Sequence, residues 1–534
     1  MASHKSMQIV LLAAAVFLIT LMRQTSADYT AAVVEHKAIS WLLPFVNRDQ
    51  ATAIINLNLD IYDYYASAAA SKGTDIIVFP EYGITGFVNE ERDHIIPYLE
   101  EVPTPSKSKA YIPCHEKFIV NITIQHRLSC LALKHNITIV ANLMTIQPCA
   151  PKTDPDCPPD GRYQYNTDVA FAENGRLVAR YHKENLYTGE AKVFNPGRGQ
   201  GEVAAFQTSF GYFGLFTCFD ILFAQPAETL VNKLGVDTMV FPTAWMNELP
   251  LLSAAEYQQA WSLSYGVNLL AANQHYPIAQ MTGSGIFSPH GGAVTYTYDM
   301  ESILGKMLMG EVKTGAPSKI LNEMKSSSVI HLTYDKDLSS ITSGIKSSLL
   351  EGINGGIGNS SKTTIFDRSE PDQGIPKYFI AKLNDDPYNL TLLTGKQGRV
   401  SISNNNVSCT LDFSRQSDSE LYALGVFDGL HTMNGEYYIQ CCSLVRCGSD
   451  SDPYRCGAEV SDAATVFGHF DLRIEGQSAK TRLFPEVVAT KVQLPPVKEA
   501  WTFSEERDHV WSIGEGVKDP IIAVNIFGRW YERD

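Results

Sequence analysis

The sequence predicts an α/β domain followed by a smaller β-rich domain. Three observations carry that expectation. Residues 51 to about 310 alternate between helix-spaced and strand-like segments, the texture turns to Gly, Ser and Lys over 313–365, and short strands between turn residues follow.

Taken in order, Ile54, Leu57, Ile61, Tyr64 and Ala68 recur at helical spacing, and after Lys72-Gly73 comes the compact apolar strand DIIVFP. A second helix through HRLSCLALKHN leads into the strand ITIVANLM. TDVAFAENGRLVARYH reads as a hairpin turning at Asn174-Gly175, and VAAFQTSFGYFGLFTCFD as a strand pair turning at Gly211. Then AETLVNKLG predicts a helix, VDTMVFP a strand, AAEYQQAWSLSYG a helix and VNLLAAN a strand. Beyond the linker-like stretch 313–365, RVSISNNNVSCTLDF, ELYALGVFDG and YYIQCCSLVRC predict short strands. The divisions are therefore 1–27, 28–312, 313–365 and 366–534.

The first of these reads as a secretory leader: an apolar run, IVLLAAAVFLITLM, then Arg23 and the small-residue site Thr25-Ser26-Ala27. That run falls short of the ~20 residues a spanning helix needs. The closing stretch IIAVNIFGRWYERD lacks the hydrophobic tail of a GPI signal. A secreted, extracellular protein without a transmembrane segment is the expectation. N-linked glycans fit that route, at the sequons Asn121, Asn136, Asn359, Asn389 and Asn406.

The formal charge of −15 argues against a nucleic-acid partner, because no concentrated basic face accompanies it. Ten cysteines suit an oxidising compartment. They fall as Cys114, Cys130, Cys149 and Cys157, then Cys218, then Cys409, Cys441, Cys442, Cys447 and Cys456. Pairing within groups leaves Cys218 and one C-terminal cysteine without partners. The cluster 441, 442, 447 and 456 could also be read as a zinc site, but no histidine sits at ligand spacing, so no metal is expected. No organic cofactor is implied either: GINGGIG lies in the linker-like stretch rather than after a strand, and no H-E-x-x-H occurs.

Three strands end at reactive side chains: DIIVFPEYGITG at Glu81, LVARYHKENLY at Lys183 and GLFTCFDILF at Cys218. Singly, each has a bland reading as a solvated carboxylate, a surface lysine or a structural thiol. Together they make a chemically complete set. A thiol needs a base or a cation to supply thiolate, and Glu81 and Lys183 provide both. An oxyanion formed on an amide needs Lys183 and the Phe219 N–H, and a leaving amine needs the proton Glu81 has taken. The set predicts an amidase. A thiol oxidoreductase would want a C-x-x-C motif, which Cys218 lacks.

Glu81 in FPEYGITG, Lys183 in RYHKENLY and Cys218 in FTCFDILF resemble the Glu-Lys-Cys triad of the carbon–nitrogen hydrolase (nitrilase) superfamily. TCFDILF, VDTMVFPTAWMNELPLLSA and MTGSGIF look like its vanin and biotinidase branch. The resemblance implies an αββα sandwich over 28–312 and a vanin-type C-terminal domain over 366–534. It also implies a second, supporting glutamate, for which Glu190 in LYTGEAKVF is the best match and Glu184 a competitor. The implied reaction is cleavage of a linear amide, pantetheine to pantothenate and cysteamine, with biotinyl amides as the alternative. Only the pocket separates the two, and Trp245, Met246 and His275 are its candidate side chains. A silent binding or signalling homologue is the reading of another class; it would tolerate loss of the triad, which is intact.

Overall fold

A computed structural model describes residues 28–40, 46–87, 91–106, 108–116, 123–197, 204–314, 377–506, 509–515 and 517–534. The expected leader, most of the linker-like stretch, Asn121 and Asn359 lie outside them.

The first part carries strands β1 (Tyr29–Glu35), β2 (Ile76–Val78), β3 (Thr138–Pro148), β4 (Arg162–Phe171), β5 (Leu177–His182), β6 (Ala205–Gln207), β7 (Tyr212–Leu215), β8 (Thr238–Thr243), β9 (Asn268–Asn273), β10 (Ser284–Ser288), β11 (Gly292–Thr297) and β12 (Lys306–Val312). They form two sheets, ordered β12-β1-β2-β3-β4-β5 and β11-β10-β9-β8-β7-β6. β1, β2 and β3 pair parallel, as do β7, β8 and β9, and every other neighbour is antiparallel. Read from β12 and from β6, the two sheets thus share one pairing pattern. Parallel neighbours need crossovers, and the helices supply them. Helix α1 (Arg48–Ala70) joins β1 to β2, α2 (Thr123–His135) joins β2 to β3, and α3 (Ala254–Tyr265) joins β8 to β9.

Local chemistry sets these elements. Asn47 and Gln50 exchange side-chain-to-backbone hydrogen bonds, each 2.9 Å, as a capping box that starts α1. Its Ile55, Leu59, Tyr62, Ala66 and Ala69 bury one stripe against the first sheet. In β1, Ala32 and Val34 face those helices while Ala31 and Val33 face the second sheet, which is the two-residue alternation of a strand. Layers therefore run helix, sheet, sheet, helix. The AETLVNKLG segment, expected as a helix, is a short one: residues 227–228 are α-helical, Thr229–Lys233 π-helical, and it stops before Gly235 at φ +70°.

α3 departs from the amphipathic pattern because every residue from Ala254 to Ser262 is buried. Its inner side meets the second sheet, and its outer side meets the C-terminal part, where the Tyr257 ring lies 5.3 Å from Phe484 and 5.5 Å from Phe527. A helix enclosed on all sides has no polar face to keep.

The C-terminal part is a β-sandwich of β13 (Phe379–Leu383), β14 (Asp386–Leu392), β15 (Gln397–Asn404), β16 (Val407–Arg415), β17 (Tyr422–His431), β18 (Tyr437–Arg446), β19 (Phe467–Glu475), β20 (Arg482–Ala489), β21 (Trp501–Glu506), β22 (His509–Glu515) and β23 (Ile521–Arg529). One sheet is ordered β13-β14-β17-β18-β23-β20 and the other β15-β16-β19-β22-β21. Leu411, Leu424, Phe470, Leu472 and Val524 fill the space between them. Disulfides join Cys114–Cys130, Cys149–Cys157, Cys409–Cys442 and Cys447–Cys456, leaving Cys218 and Cys441 as thiols. Strand alternation divides the neighbours in β18: Cys442 points into the sandwich core, Cys441 toward α3 and the second sheet. No described helix is long and apolar enough to cross a membrane.

Trp261 is fully buried, 5.0 Å from Phe216 and 4.3 Å from Tyr265 between ring centroids. Trp261→Ala should lower stability by about 3–5 kcal/mol. The denaturant midpoint of the purified variant, compared with wild type, measures it.

Candidate active site

β5 runs antiparallel to β4, and β4 to β3, so β5 runs in the same direction as β2. Their carboxyl ends consequently lie on one edge of the first sheet. Glu81 follows β2 across Phe79-Pro80, and Lys183 follows β5 directly. Cys218 opens the turn Cys218–Leu222 after β7 of the second sheet. The packing of one sheet on the other brings all three onto a single cavity of about 680 Å³.

Lys183 is 1% exposed, and its ammonium lies 2.6 Å from Glu190 Oε2 and 2.9 Å from Glu81 Oε1. A buried ammonium without partners would cost several kcal/mol. With two carboxylates beside it the group is neutral only when one of them holds a proton, and the hydrogen bonds decide which. Glu190 accepts from Lys183, from the Tyr82 hydroxyl, from Asn166 Nδ2 at 2.9 Å and from the Tyr187 N–H at 2.9 Å. Glu81 accepts from Lys183 and from Asn166 Nδ2 at 2.7 Å. Burial alone would push both carboxyls up. At Glu190 the Lys183 charge and the hydrogen bonds overcome it and hold the carboxyl below its ordinary value. At Glu81 burial prevails, reinforced by the neighbouring Glu190, and the carboxyl is raised. Burial also works against the Lys183 charge, yet Glu190 and Glu81 keep that ammonium well above an ordinary lysine. The surroundings thus favour charge on Glu190 more strongly than on Glu81.

A polar scaffold holds this group in place. Asn142 Nδ2 donates to Asn166 Oδ1 at 2.6 Å and to Asp168 Oδ1 at 2.8 Å, while its Oδ1 accepts the Tyr82 N–H at 3.0 Å. Gln274 Nε2 donates to the Glu81 carbonyl at 2.6 Å. The Lys183 N–H donates to the Asn166 carbonyl at 2.9 Å, and the Lys183 carbonyl accepts the Gly197 N–H at 2.7 Å. Only glycine fits at 197, where a Cβ would collide with the His182 carbonyl.

Cys218 has φ +45°, a left-handed conformation that costs of order 1–3 kcal/mol in a residue other than glycine. Thr217 and Asp220 hold it there. The Thr217 hydroxyl donates to Asp168 at 2.7 Å, tying the turn to β4, and its N–H donates to Asp220 at 3.0 Å. Asp220 also accepts the Tyr181 hydroxyl and the Asn185 N–H, each at 2.8 Å. Burial pushes its carboxyl up to about 6, with Lys183 opposing. The thiol itself is half-buried at the cavity wall. Burial first, then the charge of Glu81, raises it, while Lys183 pulls it down.

Of the other sequence-derived candidates, Glu190, Phe219, Trp245 and Met246 line the cavity with the three residues above. His275 does not. It is turned into the core, with Nδ1 2.8 Å from Glu35 Oε1 and Nε2 2.8 Å from the Ser302 carbonyl. Alternation explains the correction: Gln274, one residue earlier, takes the side facing Glu81, so His275 takes the other. Glu184 follows Lys183 in the same way and is not among the lining residues. Asn142, Asn166 and Asp168 are site residues that motif reading misses; the signal for the last two is Gln164, Asn166 and Asp168 at two-residue spacing in YQYNTDVAF, and for Asn142 a lone amide in the apolar strand ITIVANLM. Asn384, Asp385, His431, Asn434 and Tyr437 of the C-terminal sandwich also line the cavity. No local pattern in the sequence marks them, because only tertiary packing brings those turns to the site. Asn136 and Asn406 are exposed; Asn389 is half-buried, and its amide donates to the Ser403 carbonyl at 3.1 Å.

The carbon–nitrogen hydrolase family model matches residues 48–299, and the vanin C-terminal domain model matches residues 377–534. A human (Homo sapiens) pantetheinase is 40% identical over 97% of this chain and 92% of its own length. The chain belongs to the vanin and biotinidase family of carbon–nitrogen hydrolases. A mouse (Mus musculus) biotinidase is 39% identical to this vanin-family chain over 95% of it and 93% of the relative. A solved structure of a Saccharomyces cerevisiae member of branch 10 of the nitrilase superfamily is 19% identical, covering 57% of this chain and 97% of its own, with a TM-score of 0.41. As a member of this family the protein is a hydrolase of carbon–nitrogen bonds in amides other than peptide bonds.

Because its surroundings raise the Cys218 thiol, alkylation should not level off near neutrality. The rate of modification by a small haloacetamide should keep climbing with pH beyond the ~8.5 of a free thiol. Peptide mass spectrometry at a series of pH values measures it; a plateau near pH 7 would mean that the site lowers the thiol instead.

Proposed function

We propose that this hydrolase is a secreted pantetheinase whose nucleophile is Cys218. The observation that carries the reading is the Glu81–Lys183–Glu190 group sharing one cavity wall with the only cavity-lining thiol among the described residues. With Glu81 ionised, Cys218 Sγ attacks the amide carbonyl carbon as its proton passes to Glu81, which leaves the Glu81–Lys183–Glu190 group neutral. The oxyanion is held by the Lys183 ammonium and the Phe219 N–H. Collapse of the tetrahedral species breaks the C–N bond, and the departing amine takes the proton back from Glu81, leaving a thioester on Cys218. Glu81 then deprotonates a water that attacks the thioester, and the acid leaves as the thiol is re-formed. Glu190 stays ionised throughout and keeps Lys183 charged and in place.

For pantetheine the amine is cysteamine and the acid pantothenate. Support comes from the similarity to the human pantetheinase and from the cavity wall, where Glu248, Asn384 and Asn434 offer partners to a hydroxyl-bearing arm. The comparable similarity to a biotinidase favours a second reading, with biotinyl amides as substrate, for which Trp245, Met246, Phe219 and Tyr437 would form the apolar slot. Segment 1–27 would act as the secretory leader, with glycans on the exposed Asn136 and Asn406.

Release assays with pantetheine and biocytin at equal concentration decide between the substrates. Preferential cleavage of pantetheine is expected; preference for biocytin would overturn the substrate, and cleavage of neither would favour a silent homologue. Glu81→Gln should cost about 10²–10⁴-fold in kcat with the thermal midpoint nearly unchanged. Activity retained by that variant would remove Glu81 from the mechanism.

A further inference from the structure

The C-terminal sandwich touches the turn that carries the candidate nucleophile at two places. At its far end, Arg529 Nε donates to the Leu222 carbonyl at 2.7 Å. The last carbonyls of any helical turn lack partners within it, and this one is met by a guanidinium from another domain. Arg529 is 0% exposed. Its remaining nitrogens donate to the Tyr438 carbonyl and to Asp534, at 2.7 Å for Nη2 with Oδ2, and the Phe223, Tyr437 and Tyr531 rings lie within 5.7 Å of its Cζ. Nearer the thiol, the Phe219 ring packs so closely on Gly435, at the β17–β18 turn, that a Cβ there would lie 2.6 Å from its tip. The Phe219 ring also meets Tyr437 at 6.3 Å between centroids.

We propose that Arg529 is a positioning residue for hydrolysis, bracing the Cys218–Leu222 turn from the C-terminal side and so fixing both Sγ and the Phe219 N–H. The reasoning is mechanical. Cys218 sits in a conformation that an unconstrained turn would leave. Within the hydrolase part it is secured at its start by Thr217 and Asp220, while the end of the turn is secured by Arg529. This rests on Cys218 being the nucleophile. A planar, charged fork held by an acid on one side and carbonyls on the other cannot be reproduced by lysine.

The test uses the full-length protein, with Cys218 titrated by a haloacetamide to count competent sites. Arg529→Lys should lower kcat per titrated site by about tenfold or more, since small misplacements of a reacting group carry costs of that order. KM should stay within about twofold, because Arg529 does not line the cavity. Asp534→Ala, which keeps the arginine and removes the carboxylate that holds both its terminal nitrogens, should lower kcat per site in the same way and keeps the test open if the arginine variant fails to fold. Fewer titrated sites with unchanged kcat per site, in whichever variant folds, would make Arg529 merely structural and overturn the proposal. If the wild-type enzyme cleaved neither amide, the functional reading would fail on its own. The brace would then be read from the alkylation rate, expected to rise about threefold or more in the variants as the turn loosens and exposes the thiol. An unchanged rate would overturn it.

Discussion

One buried ammonium constrains the rest of this molecule. Lys183 is almost sealed from water, and its charge is tolerable only because two carboxylates meet it at hydrogen-bond distance. That requirement fixes the ends of β2 and β5 relative to each other. It also draws in the loop that carries Glu190 and places Asn166 in mid-strand to serve Glu81, Glu190 and Tyr82 at once. The second acid leaves one negative charge unbalanced, and the hydrogen bonds favour keeping charge on Glu190, so Glu81 is the carboxyl more ready to take up a proton.

The two sheets contribute different halves of the apparatus. The first supplies the charges, on strands whose carboxyl ends share an edge. The second supplies the thiol, on a turn kept in a left-handed conformation by Thr217 and Asp220. Their shared pairing pattern gives each sheet parallel strands at its centre. Asp168 links the halves, taking the Asn142 amide on one oxygen and the Thr217 hydroxyl on the other. The C-terminal sandwich completes the enclosure: its turns wall the outer cavity, and its contact with α3 explains a helix with no polar face.

Much of this was legible in the sequence where local rules decide. Apolar spacing located α1, α2 and α3, Asn174-Gly175 and Gly211 marked the hairpins, and the elimination of cysteine partners singled out Cys218 and one C-terminal thiol. Glu81, Lys183 and Cys218 stood out because each ends an apolar strand. Long-range chemistry was not readable. His275 follows a strand as the site residues do, but which face it takes depends on Glu35, 240 residues away. Asn384 and Asn434 lie in turns with no pattern of their own. The AETLVNKLG segment has helical spacing and is helical, but nothing in that spacing marks the wider π-helical turn at Thr229–Lys233.

On the proposed mechanism, the Glu81–Lys183–Glu190 group lets Cys218 carry an acyl group formed by attack on an amide. Rapid acid quench of the enzyme during turnover of pantetheine, followed by mass spectrometry of the Cys218 peptide, tests it most directly. A pantothenoyl thioester on Cys218, absent from Cys218→Ala, is the expected result. Hydrolysis that proceeds with Cys218 never acylated, or with the acyl group on another residue, would contradict it.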